Sequence, residues 1–129
     1  MKHSSNPVIL IVEDDPAMRD LLELALTQQF VPPFELQIAQ NGSEAMEKIQ
    51  QHLPTLVVLD ILLPQMNGLQ LLQQLKDQPV RNDTRVVVIS ALGVREVVQQ
   101  AMESGANDFI VKPFDMDTFI DRIKSTLIA

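Results

Sequence analysis

Five short runs of apolar, mostly β-branched residues recur along the chain, each followed by apolar residues at helical spacing. Val8 to Val12 (VILIV) is uninterrupted, as expected of a strand covered on both faces; a half-exposed strand would alternate. After Glu13, Asp14 and Asp15 comes Pro16, and then Met18, Leu21, Leu22, Leu24, Ala25 and Leu26 predict a helix, with Asp15 as its cap and Pro16 in its first turn. Leu36 to Ala39, Thr55 to Asp60, Arg85 to Ser90 and Asp108 to Val111 read as further strands. Helices are predicted over Ser43 to Gln51, Asn67 to Lys76, Val94 to Glu103 and Asp115 to Leu127, with Gly105 as the left-handed cap that ends the helix starting at Val94. The alternation predicts an α/β fold: a doubly wound, five-stranded parallel sheet with five helices on its two faces. Phe30 to Phe34 and Gln78 to Thr84 read as longer loops, and residues 1–7 as a short polar lead-in to one domain spanning residues 8–129.

Composition narrows the function classes. With 129 residues the chain can bury one sizeable core, and 46% apolar against 21% charged residues excludes a disordered chain. A formal net charge of -7 repels phosphate backbones, which argues against direct nucleic-acid binding. The absence of cysteine rules out disulfides and thiolate metal sites. The apolar run Val8 to Val12 is too short for a membrane span, so the expectation is a soluble, cytoplasmic protein that makes no membrane contact.

The charged residues fall in a pattern. Ligands of an open parallel sheet bind outside the carboxyl ends of its strands. Four of the five predicted strands end on polar residues there: Glu13 and Asp14, Asp60, Ser90, and Lys112. A carboxylate directly after an apolar strand is costly unless it opens onto solvent or is paired, and three crowded carboxylates need a compensating cation. Magnesium suits such a site, because it takes carboxylate oxygens and leaves room for phosphate oxygens. With a metal on one side and the Lys112 ammonium on the other, a phosphoryl group carried by Asp60 would be neutralised from two directions, while the Ser90 hydroxyl donates to a third oxygen. Asp60 is therefore the expected nucleophile, forming an acyl phosphate.

These residues, from VILIVEDDP through VVLDILLPQMNG and VVVISA to FIVKPF, make the sequence resemble the response-regulator receiver domains of two-component signalling over nearly its whole length. The resemblance implies a flavodoxin-like fold with strand order 2-1-3-4-5. It implies phosphorylation at Asp60 by a histidine kinase or a histidine phosphotransfer protein, with Mg2+ or Mn2+ held by Glu13, Asp14, Asp60 and the backbone carbonyl of Leu62. It makes Ser90, with Ala91 beside it, the switch hydroxyl, Phe109 the switch aromatic, and Lys112 the phosphoryl-binding lysine before a cis peptide to Pro113. Pro64 and Gly68 match the loop after the phosphorylation site, where proline stiffens a turn and glycine admits a close backbone approach.

On this reading the chain is not an enzyme toward an outside substrate; it catalyses only its own phosphorylation and dephosphorylation. Its output surface would be the fourth helix, fifth strand and fifth helix, acting on a downstream protein partner or a fused output domain, with a phosphorylation-dependent dimer as a further option. Nothing after the fifth helix suggests an output domain, so either a stand-alone receiver or a piece of a longer regulator is expected. Val94, Val97, Val98, Ala101 and Met102 cover more than one stripe of the fourth helix, so some of them could face a partner. Leu62 and Leu92 depart from the family, which often has polar residues there, and imply slow self-dephosphorylation. A magnesium-dependent phosphatase would want a second aspartate where Leu62 stands, and a flavin module would want stacking aromatics in a chain that has no Trp or Tyr.

Overall fold

The computed structural model describes residues 6–29, 33–63 and 67–128. Along the chain lie β1 (Val8–Val12), α1 (Pro16–Gln29), β2 (Glu35–Ala39), α2 (Gly42–His52), β3 (Leu56–Asp60) and α3 (Gly68–Lys76). A short 3-10 turn (Pro79–Asn82) leads into β4 (Arg85–Ser90), α4 (Arg95–Glu103), β5 (Asp108–Val111) and α5 (Met116–Ile128). All strand pairs are parallel, and the sheet order is β2-β1-β3-β4-β5.

Side chains alternate across the sheet, so one strand feeds two cores. Leu10, Val12, Val57, Leu59, Val86 and Val88 point to the face covered by α2, α3 and α4, where they meet Ala45, Ile49, Leu71, Leu72, Leu75 and Ala101. Ile9, Ile11, Leu56, Val58, Val87 and Ile89 point to the other face and meet Leu22, Ala25 and Leu26 of α1 and Phe119, Ile120 and Ile123 of α5. This two-sided burial is why β1, β3 and β4 are continuous apolar runs. Asp15 caps α1 by accepting from the Ala17 N–H at 3.0 Å. Among the described residues no helix is long and apolar enough to cross a membrane.

Some boundaries differ from expectation. The stretch Gln78 to Thr84 is not a plain loop: Arg81 of the 3-10 turn donates to the carbonyls of Thr84 and Gly105, and to Asn107 Oδ1 at 3.0 Å, tying the turn to the α4–β5 connection. Of the loop expected over Phe30 to Phe34, only Pro33 and Phe34 are described. Gly105 has φ +105, the region where a side chain is strained, consistent with its place after α4.

At the end of α2, Leu53 adopts φ 47 and ψ 62, a left-handed cap, and donates its N–H to Ile49 O. Its side chain is 64% exposed, so little packing offsets the strain. Leu53→Gly is expected to stabilise the fold by about 1 kcal/mol, seen as a higher urea midpoint at unchanged slope. A lowered midpoint would show that the exposed leucine contributes more than its backbone costs.

Candidate functional site

Strand order decides which carboxyl ends meet. The chain leaves β1 toward β2 on one side, and β3 lies on the other, so the ends of β1 and β3 open into the crevice where the winding reverses. Glu13 follows β1 there, its N–H bonded to Ala39 O at 3.0 Å, and its side chain is buried. Asp14 is exposed beside it. Asp60 is the last residue of β3 and only 4% exposed. One carboxylate oxygen from each of Glu13, Asp14 and Asp60 lies within 4.8 Å of the other two.

Lys112 reaches this cluster from the far side of β4. It follows β5, where its N–H donates to Ser90 O at 2.8 Å, and its Nζ donates to Asp60 Oδ2 at 2.9 Å and Glu13 Oε1 at 3.0 Å. Crossing from β5 to β3 spans two strand spacings, about 9.5 Å, which a lysine and an aspartate can bridge together. The other Asp60 oxygen, Oδ1, accepts from the Leu62 N–H at 2.8 Å, so the carboxylate is held at both ends. The Lys112-Pro113 peptide is cis.

The electrostatics follow from burial. Burial pushes the Glu13 carboxyl up to about 7, and the neighbouring Asp60 charge adds to this, against the Lys112 ammonium and the Asp15 N–H. Burial works against the Lys112 ammonium, but its bonds to Asp60 and Glu13 outweigh that and raise its pKa. One ammonium thus serves two buried acids with a third beside them, which leaves the cluster short of positive charge. Hard carboxylate oxygens, no sulfur and a charge deficit fit a divalent cation such as magnesium.

The other expected residues fall variously. Ser90 ends β4, fully buried, and its Oγ accepts from the Leu92 N–H at 2.9 Å, which leaves the hydroxyl proton free to donate elsewhere. Ala91 is exposed on the following loop. Phe109, the expected switch aromatic, lies in the core at 7% exposure. Gly68 packs against the site's own backbone: its N–H donates to Ile61 O at 2.9 Å, and a Cβ there would come within 2.4 Å of Ile61 Cα. Pro64 lies outside the described residues. The α4 set divides: Ala101 is buried, Val97 and Val98 pack against the core, and Val94 and Met102 are 54% and 43% exposed.

Sequence reasoning missed Arg19, whose guanidinium binds the backbone of the acidic loop. The signal was present, since a cation in the first turns of a helix opposes the helix dipole and calls for another partner.

A family model described as "Response regulator receiver domain" matches residues 9–124. The chain is 38% identical over 120 residues to "Chemotaxis protein CheY" of Bacillus subtilis, covering 92% of this chain and 96% of that protein. It is 37% identical over 116 residues to "Transcriptional regulatory protein KdpE" of Staphylococcus aureus, covering 90% of this chain but 48% of that longer protein. Its fold matches a solved CheY-like receiver domain protein from Methanospirillum hungatei with a TM-score of 0.85 and 27% identity, over 96% of this chain and 95% of that one.

Proposed function

The chain belongs to the response regulator receiver domain family of two-component signalling, and we propose that Asp60 is the residue that accepts the phosphoryl group. The observation that carries this reading is the Lys112 ammonium lying between Asp60 and Glu13, with Asp14 completing a carboxylate cluster within 4.8 Å. An Asp60 oxygen forms the new P–O bond as the P–N bond to a partner's phosphohistidine breaks, and the imidazole leaves with the bonding pair. Lys112 neutralises charge on the transferred group, the Ser90 hydroxyl donates to one of its oxygens, and the Leu62 N–H orients the nucleophile. Magnesium, when held by Glu13, Asp14, Asp60 and the carbonyl of Leu62, supplies the remaining positive charge.

The signal leaves through the face of α4, β5 and α5. Phe109 and Lys112 stand at the two ends of one short segment, so a pull on Lys112 is felt along β5. Val94, Met102 and Val111 are exposed on this face and suit a protein partner or a fused output domain.

The function is tested by incubating the protein with acetyl phosphate and magnesium and weighing it by mass spectrometry. One phosphoryl adduct is expected, absent in Asp60→Asn and after chelation; an adduct surviving in Asp60→Asn would place the chemistry elsewhere. A panel of phosphorylated histidine kinases then identifies the donor.

Leu62, whose N–H is bonded to Asp60, and Leu92, whose N–H is bonded to Ser90, are 49% and 43% exposed, so their apolar side chains can screen the acyl phosphate from attacking water. Leu62→Asn and Leu92→Glu are expected to shorten the phosphorylated half-life by about tenfold, within the range of a group that guides a proton or water. Unchanged decay of the adduct in both variants would show that the leucines do not govern it.

A further inference from the structure

Arg19 lies in the second turn of α1, close to the positive end of the helix dipole, where a cation is disfavoured. Its guanidinium turns back onto the acidic loop: Nη1 donates to Glu13 O at 3.1 Å and to Asp14 O at 3.3 Å. Both carbonyls lie past Val12, the last residue of β1, so the sheet ladder no longer fixes them. The rest of this loop is tied down as well. The Glu13 N–H is held by Ala39 O, the Asp15 N–H donates to Glu13 Oε2 at 3.2 Å, and Asp15 Oδ1 holds the Ala17 N–H.

We propose that Arg19 is a positioning residue for the divalent cation: by gripping the backbone of Glu13 and Asp14 together, it keeps their two carboxylates turned toward Asp60. The proposal rests on the metal-binding reading of the carboxylate cluster. The charge of Arg19 and its grip act in opposite directions. A guanidinium near the cluster repels an incoming cation, so removing it should tighten binding if charge alone mattered. Fixing the ligand-bearing backbone favours binding, as supporting hydrogen bonds around metal ligands generally do. The sign of the change therefore separates the two roles.

The test is calorimetric titration of Mg2+ into metal-free wild type, Arg19→Ala and Arg19→Lys, with Asp14→Asn as reference, alongside thermal unfolding with and without saturating Mg2+. Arg19→Ala is expected to bind Mg2+ about tenfold more weakly. Arg19→Lys, which keeps a donor, should lose less, and the rise in Tm produced by Mg2+ should shrink in the same order. Unchanged or tighter binding in Arg19→Ala, or equal losses of Tm with and without metal, would overturn the proposal. If Arg19→Ala does not fold, the Arg19→Lys arm decides: weaker binding than wild type supports the proposal and equal binding overturns it. Wild type that takes up no Mg2+ would instead remove the metal reading itself.

Discussion

Replacing Lys112 with alanine is expected to cost the metal-free fold about 2–4 kcal/mol at slightly alkaline pH and to slow phosphoryl uptake by roughly 100- to 1000-fold. The ammonium is the shared partner of two buried carboxylates, at 2.9 Å from Asp60 and 3.0 Å from Glu13, and its loss removes the countercharge of both. The size of the effect depends on pH in a defined direction. Burial, with the Asp60 charge, raises Glu13 from 4.5 to about 7. A carboxyl group raised in the folded state contributes stability that is full below about 4.5 and is lost as pH climbs through about 7. Lys112 is itself raised, so its contribution spans that window and is lost only in strong alkali. Lys112→Ala should therefore cost more at a pH above 7, where Glu13 is ionised, than near pH 5.5, where Glu13 carries its proton. Urea midpoints at the two pH values measure this, and an equal loss at both would mean that the two acids do not share the lysine's charge.

Gly68→Ala is expected to disturb the site through backbone alone. The new Cβ would stand 2.4 Å from Ile61 Cα and 3.0 Å from Asp60 O, and neither neighbour is a flexible side-chain end that could swing aside. Either the start of α3 or the end of β3 must move. Overpacking of this kind typically costs about 1–3 kcal/mol, and a nucleophile misplaced by about 1 Å can cost about 100-fold in rate. The Gly68 N–H to Ile61 O bond ties the two segments, so a shift of α3 is passed to Asp60. Phosphoryl uptake should therefore fall further than the loss of Tm alone explains. A variant with wild-type uptake and a lowered Tm would show that the helix yields and the strand does not.

The parts of this architecture that were legible in the sequence share one physical cause. Val8 to Val12 and Arg85 to Ser90 are buried on both sheet faces, and such strands cannot carry polar residues in their middle, so their carboxyl ends were written as changes from apolar to polar residues. A parallel sheet sends every strand end to one edge, which is why residues as far apart as Glu13, Asp60 and Lys112 could be grouped before any coordinates. Other features depend on how elements sit in space. The division of the helical residues into exposed Met102 and inward Val97 and Val98, with Val94 exposed at the cap before α4, follows from the helix's rotation over the sheet, which closely spaced apolar residues on a short helix leave open. The inward position of Phe109 is likewise a packing outcome, in the core it shares with Val86, Val88 and Ala101. Leu53 gave no warning, because a left-handed leucine looks in sequence like any other. Arg19 and Arg81 act through backbone carbonyls, and backbone partners carry no residue code.

The most direct measurement is a crystal structure of the protein with Mg2+ and beryllofluoride, a tetrahedral mimic of a phosphoryl group. The account predicts the mimic on an Asp60 oxygen, with Lys112 Nζ and Ser90 Oγ in hydrogen-bond reach of its fluorines and the metal among the carboxylates of Glu13, Asp14 and Asp60. A bare Asp60 at saturating reagent, with Lys112 turned away and the metal bound outside these three acids, would contradict it.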